Sequence, residues 1–160
     1  MSHAVTITRT TTTTTSTSAI VINSGYLKTI PGLLKLAELI IGSICTFLVA
    51  YNFWSYSRYS GGTELFFLCI AVACVVGTFC LLLSCLLSLS TGGIISKTIY
   101  EFIYHTTAFI LYIVASILLI VKNNNYQTSH PFMIAGILGI INSALYLVSA
   151  FYAHRSYRGI

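Results

Sequence analysis

From Leu65 to Leu89 the chain reads LFFLCIAVACVVGTFCLLLSCLLSL, 25 residues without a charge. A helix of about 20 apolar residues crosses the roughly 30 Å hydrocarbon layer of a bilayer. Three further runs share this character: Leu33–Trp54, Ile99–Val121 and Phe132–Ala153. Each has 22 to 25 residues, and together they fill more than half of the 160-residue chain. Transmembrane β-barrels alternate apolar and polar residues over segments of about ten. These runs are too long and continuous for that, and a helix satisfies its own backbone hydrogen bonds in lipid. The composition agrees. Hydrophobic residues make up 56% of the chain and charged residues 7%, against about 25% charged in a soluble domain.

The expected fold is an all-α membrane protein, a four-transmembrane-helix bundle with a disordered N-terminal tail. Residues 1–30 form the Thr/Ser-rich cytoplasmic tail, 31–154 the transmembrane domain and 155–160 a short cytoplasmic tail. The spans run at about 33–54, 65–89, 99–121 and 132–153. The joining segments Ser55–Glu64, Ser90–Thr98 and Lys122–Pro131 are short, so neighbouring helices alternate up-down-up-down. Arg9, Lys28, Lys35, Lys97, Arg155 and Arg158 fall on one side, and only Arg58 and Lys122 on the other. The richer side is cytoplasmic by the positive-inside rule, which puts both termini there. The net charge of +5 is a topology signal and favours contact with anionic lipid. It forms no basic cluster, so nucleic acid is not an expected partner.

The tract Thr10–Ser18 has no apolar period and cannot bury a core. It carries hydroxyls open to phosphorylation. Nothing at the N-terminus resembles a cleavable signal peptide. Tyr51, Trp54, Tyr56 and Tyr59 read as an interfacial aromatic belt. Asn123–Asn125 reads as a polar turn, and the chain has no N-glycosylation sequon. All five cysteines lie inside spans and read as small packing residues. Cys85, nearest the cytoplasmic end, is the one palmitoylation candidate.

Few residues offer chemistry. Lys35 and Glu38 are three apart, on one helix face near the cytoplasmic boundary. They read as a boundary ion pair free to snorkel to water, or as an intramembrane acidic site. Glu101 lies four residues after Lys97 and four before His105. A Glu/His pair at that spacing suits a metal or a proton relay, and equally a buried polar pair between helices. No further ligand stands nearby, so no metal and no cofactor is expected. No nucleophile–base arrangement or phosphate-binding loop appears, so the protein reads as a non-enzyme without catalytic residues. Small residues recur every fourth position: Gly42, Thr46 and Ala50; Ala73 and Gly77; Ala135, Gly139 and Ser143. Such faces let helix backbones approach closely, within the bundle or between copies in a homo-oligomer. Val148, Tyr152 and Arg155 fit a loose cholesterol-contact pattern.

The stretch Pro31-Gly32-Leu33-Leu34-Lys35-Leu36-Ala37-Glu38-Leu39-Ile40-Ile41-Gly42 resembles the opening of MARVEL-domain proteins, a P-G-L-L-K/R-x-x-E-x-x-x-G run. Tyr100–His105 with Tyr112, Ala115 and Ser116, and Leu145–Phe151, are similar to the matching helices of that family. Residues 28 to 155 carry the resemblance. It is nearest to the chemokine-like-factor MARVEL transmembrane proteins and plasmolipin-like proteins. The resemblance implies a tetraspan protein that organises membrane domains, vesicle trafficking or membrane apposition at junction or fusion sites. Its partners would be membrane lipids, including cholesterol-rich domains, and other membrane proteins. It would reside in the plasma membrane or in endosomal or secretory vesicles. The alternatives are a small channel or transporter subunit and a junctional adhesion component. The apolar midplanes argue against the first, and outside loops of about ten residues argue against the second.

Overall fold

The computed structural model describes residues 24–55, 61–87, 99–126 and 130–159. Ser24–Lys28 forms a 3-10 turn, and four helices follow: α1 (Ile30–Ser55), α2 (Gly62–Leu87), α3 (Ile99–Tyr126) and α4 (His130–Arg158). All four are long and apolar enough to cross a membrane. No strand occurs among the described residues.

The helices begin where local chemistry permits. Thr29 caps α1: its hydroxyl accepts from the Gly32 N–H at 3.3 Å and donates to the Tyr26 carbonyl at 2.7 Å. Pro31 lies in the first turn, where its missing N–H leaves no bond unmade. Gly32 leaves room for the Tyr26 carbonyl, which a β-carbon there would overlap. That close approach lets the 3-10 turn fold back over the start of α1. The described order therefore reaches back to Ser24, inside the segment assigned to the tail. Residues 1–23, with the Thr10–Ser18 tract, lie outside the described residues. So do Tyr56, Arg58, Tyr59 and Lys97. At the other terminus Gly159 has a φ of 73° and its N–H reaches the Ser156 carbonyl at 3.2 Å, a left-handed stop to α4.

Several helix limits differ from the sequence reading. The sequence reading puts Glu64 in a loop, yet it sits in the first turn of α2, fully buried. Its Oε2 accepts from the Gly61 N–H at 3.0 Å, the Glu half of a capping box. The sequence reading puts Lys122 in a joining segment and Asn123–Asn125 in a turn, yet all four extend α3 by another turn and more. α4 likewise begins at His130, ahead of Pro131.

The core joins Cys45 and Val49 of α1, Phe67 and Ala71 of α2, Tyr112 and Ala115 of α3, and Phe132, Ala135 and Tyr146 of α4. α3 and α4 share the largest interface. Small residues make it close. A β-carbon on Gly136 would stand 2.5 Å from Ile120 Cγ1, and one on Gly139 would meet the Ser116 hydroxyl and stand 3.0 Å from the Phe67 ring. Ala135, Gly139 and Ser143 are all buried. Gly42 is buried too, and a β-carbon there would stand 2.9 Å from Val75 Cγ2. The second helix departs from its expected small face, because Ala73 is exposed while Gly77 makes room for the Tyr104 ring. Outward positions along the helices are mainly apolar, among them Ile40, Phe47, Val76, Phe79, Ile110, Leu118, Ile137 and Phe151.

Candidate functional site

Apart from Arg155 and Arg158 in the last turn of α4, the charged residues of the helices gather at two places. At the first, Lys35 and Glu38 of α1 meet Glu101 and His105 of α3 and Ser149 of α4. Lys35 Nζ donates to Glu101 Oε1 and, at 2.9 Å, to the Tyr26 hydroxyl. Ser149 Oγ donates to Glu38 Oε1 at 2.5 Å. The His105 ring stands between the two carboxyls, with Nδ1 3.8 Å from Glu38 Oε2 and Nε2 3.7 Å from Glu101 Oε1. One ammonium and two carboxyl groups thus surround an imidazole whose two nitrogens make no hydrogen bond.

This geometry overturns the expected Lys35–Glu38 boundary pair. Lys35 is 1% exposed and Glu38 0%, so neither snorkels to water. The strong partner of Lys35 is Glu101 on another helix, and the partner of Glu38 is Ser149. A residue three positions along the same helix was the local choice. The fold offered a better one, because α3 places Glu101 directly beside Lys35. Lys97, the other expected partner of Glu101, lies outside the described residues. Pro31 is half-buried at the rim of the cluster. Burial pushes the Tyr26 hydroxyl up to about 12, against the opposing pull of Lys35. It therefore stays neutral and accepts the Lys35 hydrogen bond.

A cavity of about 200 Å³ adjoins the cluster and reaches Tyr26, Lys35, Glu101, Ser149, Tyr152 and Ser156. Tyr26, Tyr152 and Ser156 are half-buried and form its rim. Lys28, Arg155 and Arg158 are exposed at the same end.

The second charged place lies at the far end, where Lys122 Nζ of α3 donates to Glu64 Oε2 of α2 at 2.5 Å. The Lys122 side chain is 21% exposed.

Between the two ends the interior is more polar than the sequence reading allowed. Tyr104 of α3 donates to the Cys74 carbonyl of α2 at 2.9 Å. Its proton is then committed, so Thr78 donates to Tyr104 at 2.9 Å and Tyr146 of α4 donates to Thr78 at 2.8 Å. This chain ties three helices through one carbonyl. Beyond it the Tyr112 hydroxyl and both amide atoms of Asn142 are buried without a hydrogen-bond partner. Tyr112 stacks edge-on to Phe67 at 5.7 Å between ring centres. The expectation of apolar midplanes is corrected by Asn142, Tyr112 and Tyr146.

Cys45, Cys74 and Cys85 are buried, whereas Cys69 and Cys80 are exposed. Burial removes Cys85 from the surface where palmitoylation requires it. Among the described residues no group of three His, Cys, Asp or Glu side chains is arranged to hold a metal ion.

Sequence reasoning missed Glu64, Tyr26, Ser149, Asn142 and the Thr78–Tyr104–Tyr146 chain. Only Glu64 carried a readable signal, a Glu three residues after a helix-starting Gly. The others pair across helices at separations that no local pattern reports.

A family model described as MARVEL, a membrane-associating domain, matches residues 26–152. The match runs from Tyr26 through all four helices and contains Lys35, Glu38, Glu101, His105 and Ser149. No curated protein and no solved structure matches the chain.

Proposed function

The chain belongs to the MARVEL family, and on that premise we propose that this tetraspan membrane protein organises membrane domains by lateral packing with lipids and partner membrane proteins. Within the family we group it with the chemokine-like-factor MARVEL transmembrane and plasmolipin-like proteins. Its helices cross up-down-up-down with both termini in the cytoplasm. It serves vesicle trafficking or membrane apposition in the plasma membrane or in endosomal or secretory vesicles, without catalysis. One observation carries this reading. Lys35, Glu38, Glu64, Glu101 and Lys122 are turned inward into contacts between helices, Arg155 and Arg158 stay exposed at the last turn of α4, and the outer wall of the spans is mainly apolar. Such a body presents the membrane with shape and apolar surface rather than with reactive groups. The experiment is affinity capture of the tagged full-length protein in mild detergent, alongside imaging of its distribution. A reproducible set of co-purifying membrane proteins and lipids, gathered in the same patches, is expected. A uniformly spread protein that captures nothing above background would remove the reading. Tags at either terminus should be stained only after permeabilisation, and staining on intact cells would reverse the orientation.

A second reading, a small channel or transporter subunit, is favoured by the unpartnered Asn142 amide and Tyr112 hydroxyl at mid-depth, since polar groups there mark transport routes. Purified protein in liposomes is the test. Ion or proton flux that disappears in Asn142→Leu supports transport, and flux no greater than in empty liposomes excludes it.

A further inference from the structure

The cavity beside Lys35 and Glu101 has a composition that the packing of the bundle does not use. Lys35 makes two hydrogen bonds, to Tyr26 and to Glu101. An ammonium carries three N–H donors, so one remains. Glu101 Oε2 is buried and accepts nothing. Both residues line the cavity, both are nearly inaccessible to water, and they carry opposite charge. An unpaired buried acceptor on a carboxylate is costly, because its desolvation is uncompensated. Glu101 and Lys35 stand side by side with opposite charge, so an occupant with a cationic donor on Glu101 and an anionic acceptor on Lys35 complements both. The rim supplies the Ser156 hydroxyl and the rings of Tyr26 and Tyr152.

The position narrows the occupant. The cavity lies where α1 begins and α4 ends, and the ends of a helix that spans a bilayer meet the lipid headgroups. Lys28, Arg155 and Arg158 are exposed at this same end and favour phosphate oxygens nearby. The occupant must donate a hydrogen bond to Glu101, accept one from Lys35, and carry positive charge on the donating group.

We propose that this cavity binds the phosphoethanolamine headgroup of a phospholipid, with the ammonium on Glu101 Oε2 and the phosphate on Lys35 Nζ. The proposal rests on the lipid-organising reading above and names one lipid class for it. The three N–H groups of a primary ammonium satisfy the buried carboxylate oxygen. The tyrosine rings flank a cation favourably. A choline headgroup carries its charge on a nitrogen without N–H and leaves Oε2 unpaired, so phosphatidylcholine binds less well. Inorganic phosphate brings only negative charge beside Glu101 and gains a single ammonium in return.

The test uses full-length protein stripped of lipid in detergent. It is titrated separately with short-chain phosphatidylethanolamine, phosphatidylcholine, phosphatidic acid and inorganic phosphate. Retained lipid is counted by native mass spectrometry, and the melting temperature is followed in parallel. The expected result is about a tenfold preference for the ethanolamine lipid over the choline lipid, the size of one charge-assisted hydrogen bond. Ser156→Leu closes the rim without touching the Lys35–Glu101 pair. It should abolish the preference while melting as wild type does in choline lipid. Glu101→Gln should also lose the preference, and where that variant does not fold, Ser156→Leu decides alone. Equal retention of ethanolamine and choline lipids by the wild type overturns the proposal, as does stronger retention of phosphatidic acid or an unchanged preference in Ser156→Leu. Equal retention with partner capture intact removes the headgroup assignment alone. A preserved preference without partner capture removes the organising role alone.

Discussion

The two ends of the bundle use charge differently. At the Lys35 end, four titratable side chains from α1 and α3, with Ser149 of α4, form one buried cluster joining three helices. At the Glu64 end, one carboxylate joins two helices, and its Lys122 partner keeps part of its side chain in contact with the surroundings. A buried pair has no alternative partner when one member is lost, so removing one member costs far more than the pair contributes in total. Glu64 is buried, but the partly exposed Lys122 can turn to its surroundings when the carboxylate is lost, so no charge is left stranded. The first end should therefore decide whether the bundle holds, and the second should trim its margin.

The largest effect is expected at Glu101. Glu101→Leu strands the Lys35 ammonium in the interior and should cost about 3–5 kcal/mol, read as thermal unfolding in detergent. Combining it with Lys35→Met removes the stranded charge and should recover most of the loss. A single variant as stable as wild type would erase the difference between the two ends.

Next comes the interface that lies between them. Gly139→Leu drives a side chain into the Ser116 hydroxyl and the Phe67 ring. Overpacking of this kind costs about 1–3 kcal/mol. The variant should melt early and be retained in the endoplasmic reticulum. Normal delivery with loss of crosslinked oligomers would show instead that this seam faces a second copy.

Glu64→Gln should cost about 1 kcal/mol. It weakens the cap on the Gly61 N–H and leaves Lys122 able to reach polar surroundings. A loss as large as that at Glu101 would mean that both ends lock the bundle equally.

The smallest change is expected for Tyr26→Phe, about 0.5–1.5 kcal/mol for one hydrogen bond. Its pH dependence has a definite sign. The folded hydroxyl titrates at about 12, above the ordinary value of about 10. Its contribution is complete below the ordinary value and is lost only as pH rises through the folded one. The gap between wild type and Tyr26→Phe should therefore stay constant from about pH 6 to 9. A gap that closes within that range would show that the Tyr26 hydroxyl is not the group holding Lys35.

Much of this architecture was legible because lipid imposes a simple rule. Long uncharged runs must be helices, and the run Leu65–Leu89 admits no other reading. The helix limits were less legible. Glu64, Lys122 and Asn123–Asn125 look like loop residues, but a cap and an ion pair between helices carry them into α2 and α3. The cluster was half legible. Lys35, Glu38, Glu101 and His105 stand out as rare charges in apolar runs. Their pairing does not, because spacing along one helix favours Lys35 with Glu38, while the fold sets Glu101 against Lys35 across 66 residues. The polar role of Asn142, Tyr112 and Tyr146 was not legible, because a lone polar residue in an apolar run has no periodic signature. Its neighbours come from other helices.

The central claim is that the charges of this bundle join helices rather than anchor one helix at the membrane boundary. A double-mutant cycle measures it directly. Lys35→Met, Glu101→Gln and Glu38→Gln are made singly and in the two Lys35 pairs, and each variant is unfolded reversibly in detergent. A coupling of about 2 kcal/mol or more between Lys35 and Glu101, well above that between Lys35 and Glu38, is the predicted result. A larger coupling between Lys35 and Glu38, with none between Lys35 and Glu101, would contradict it.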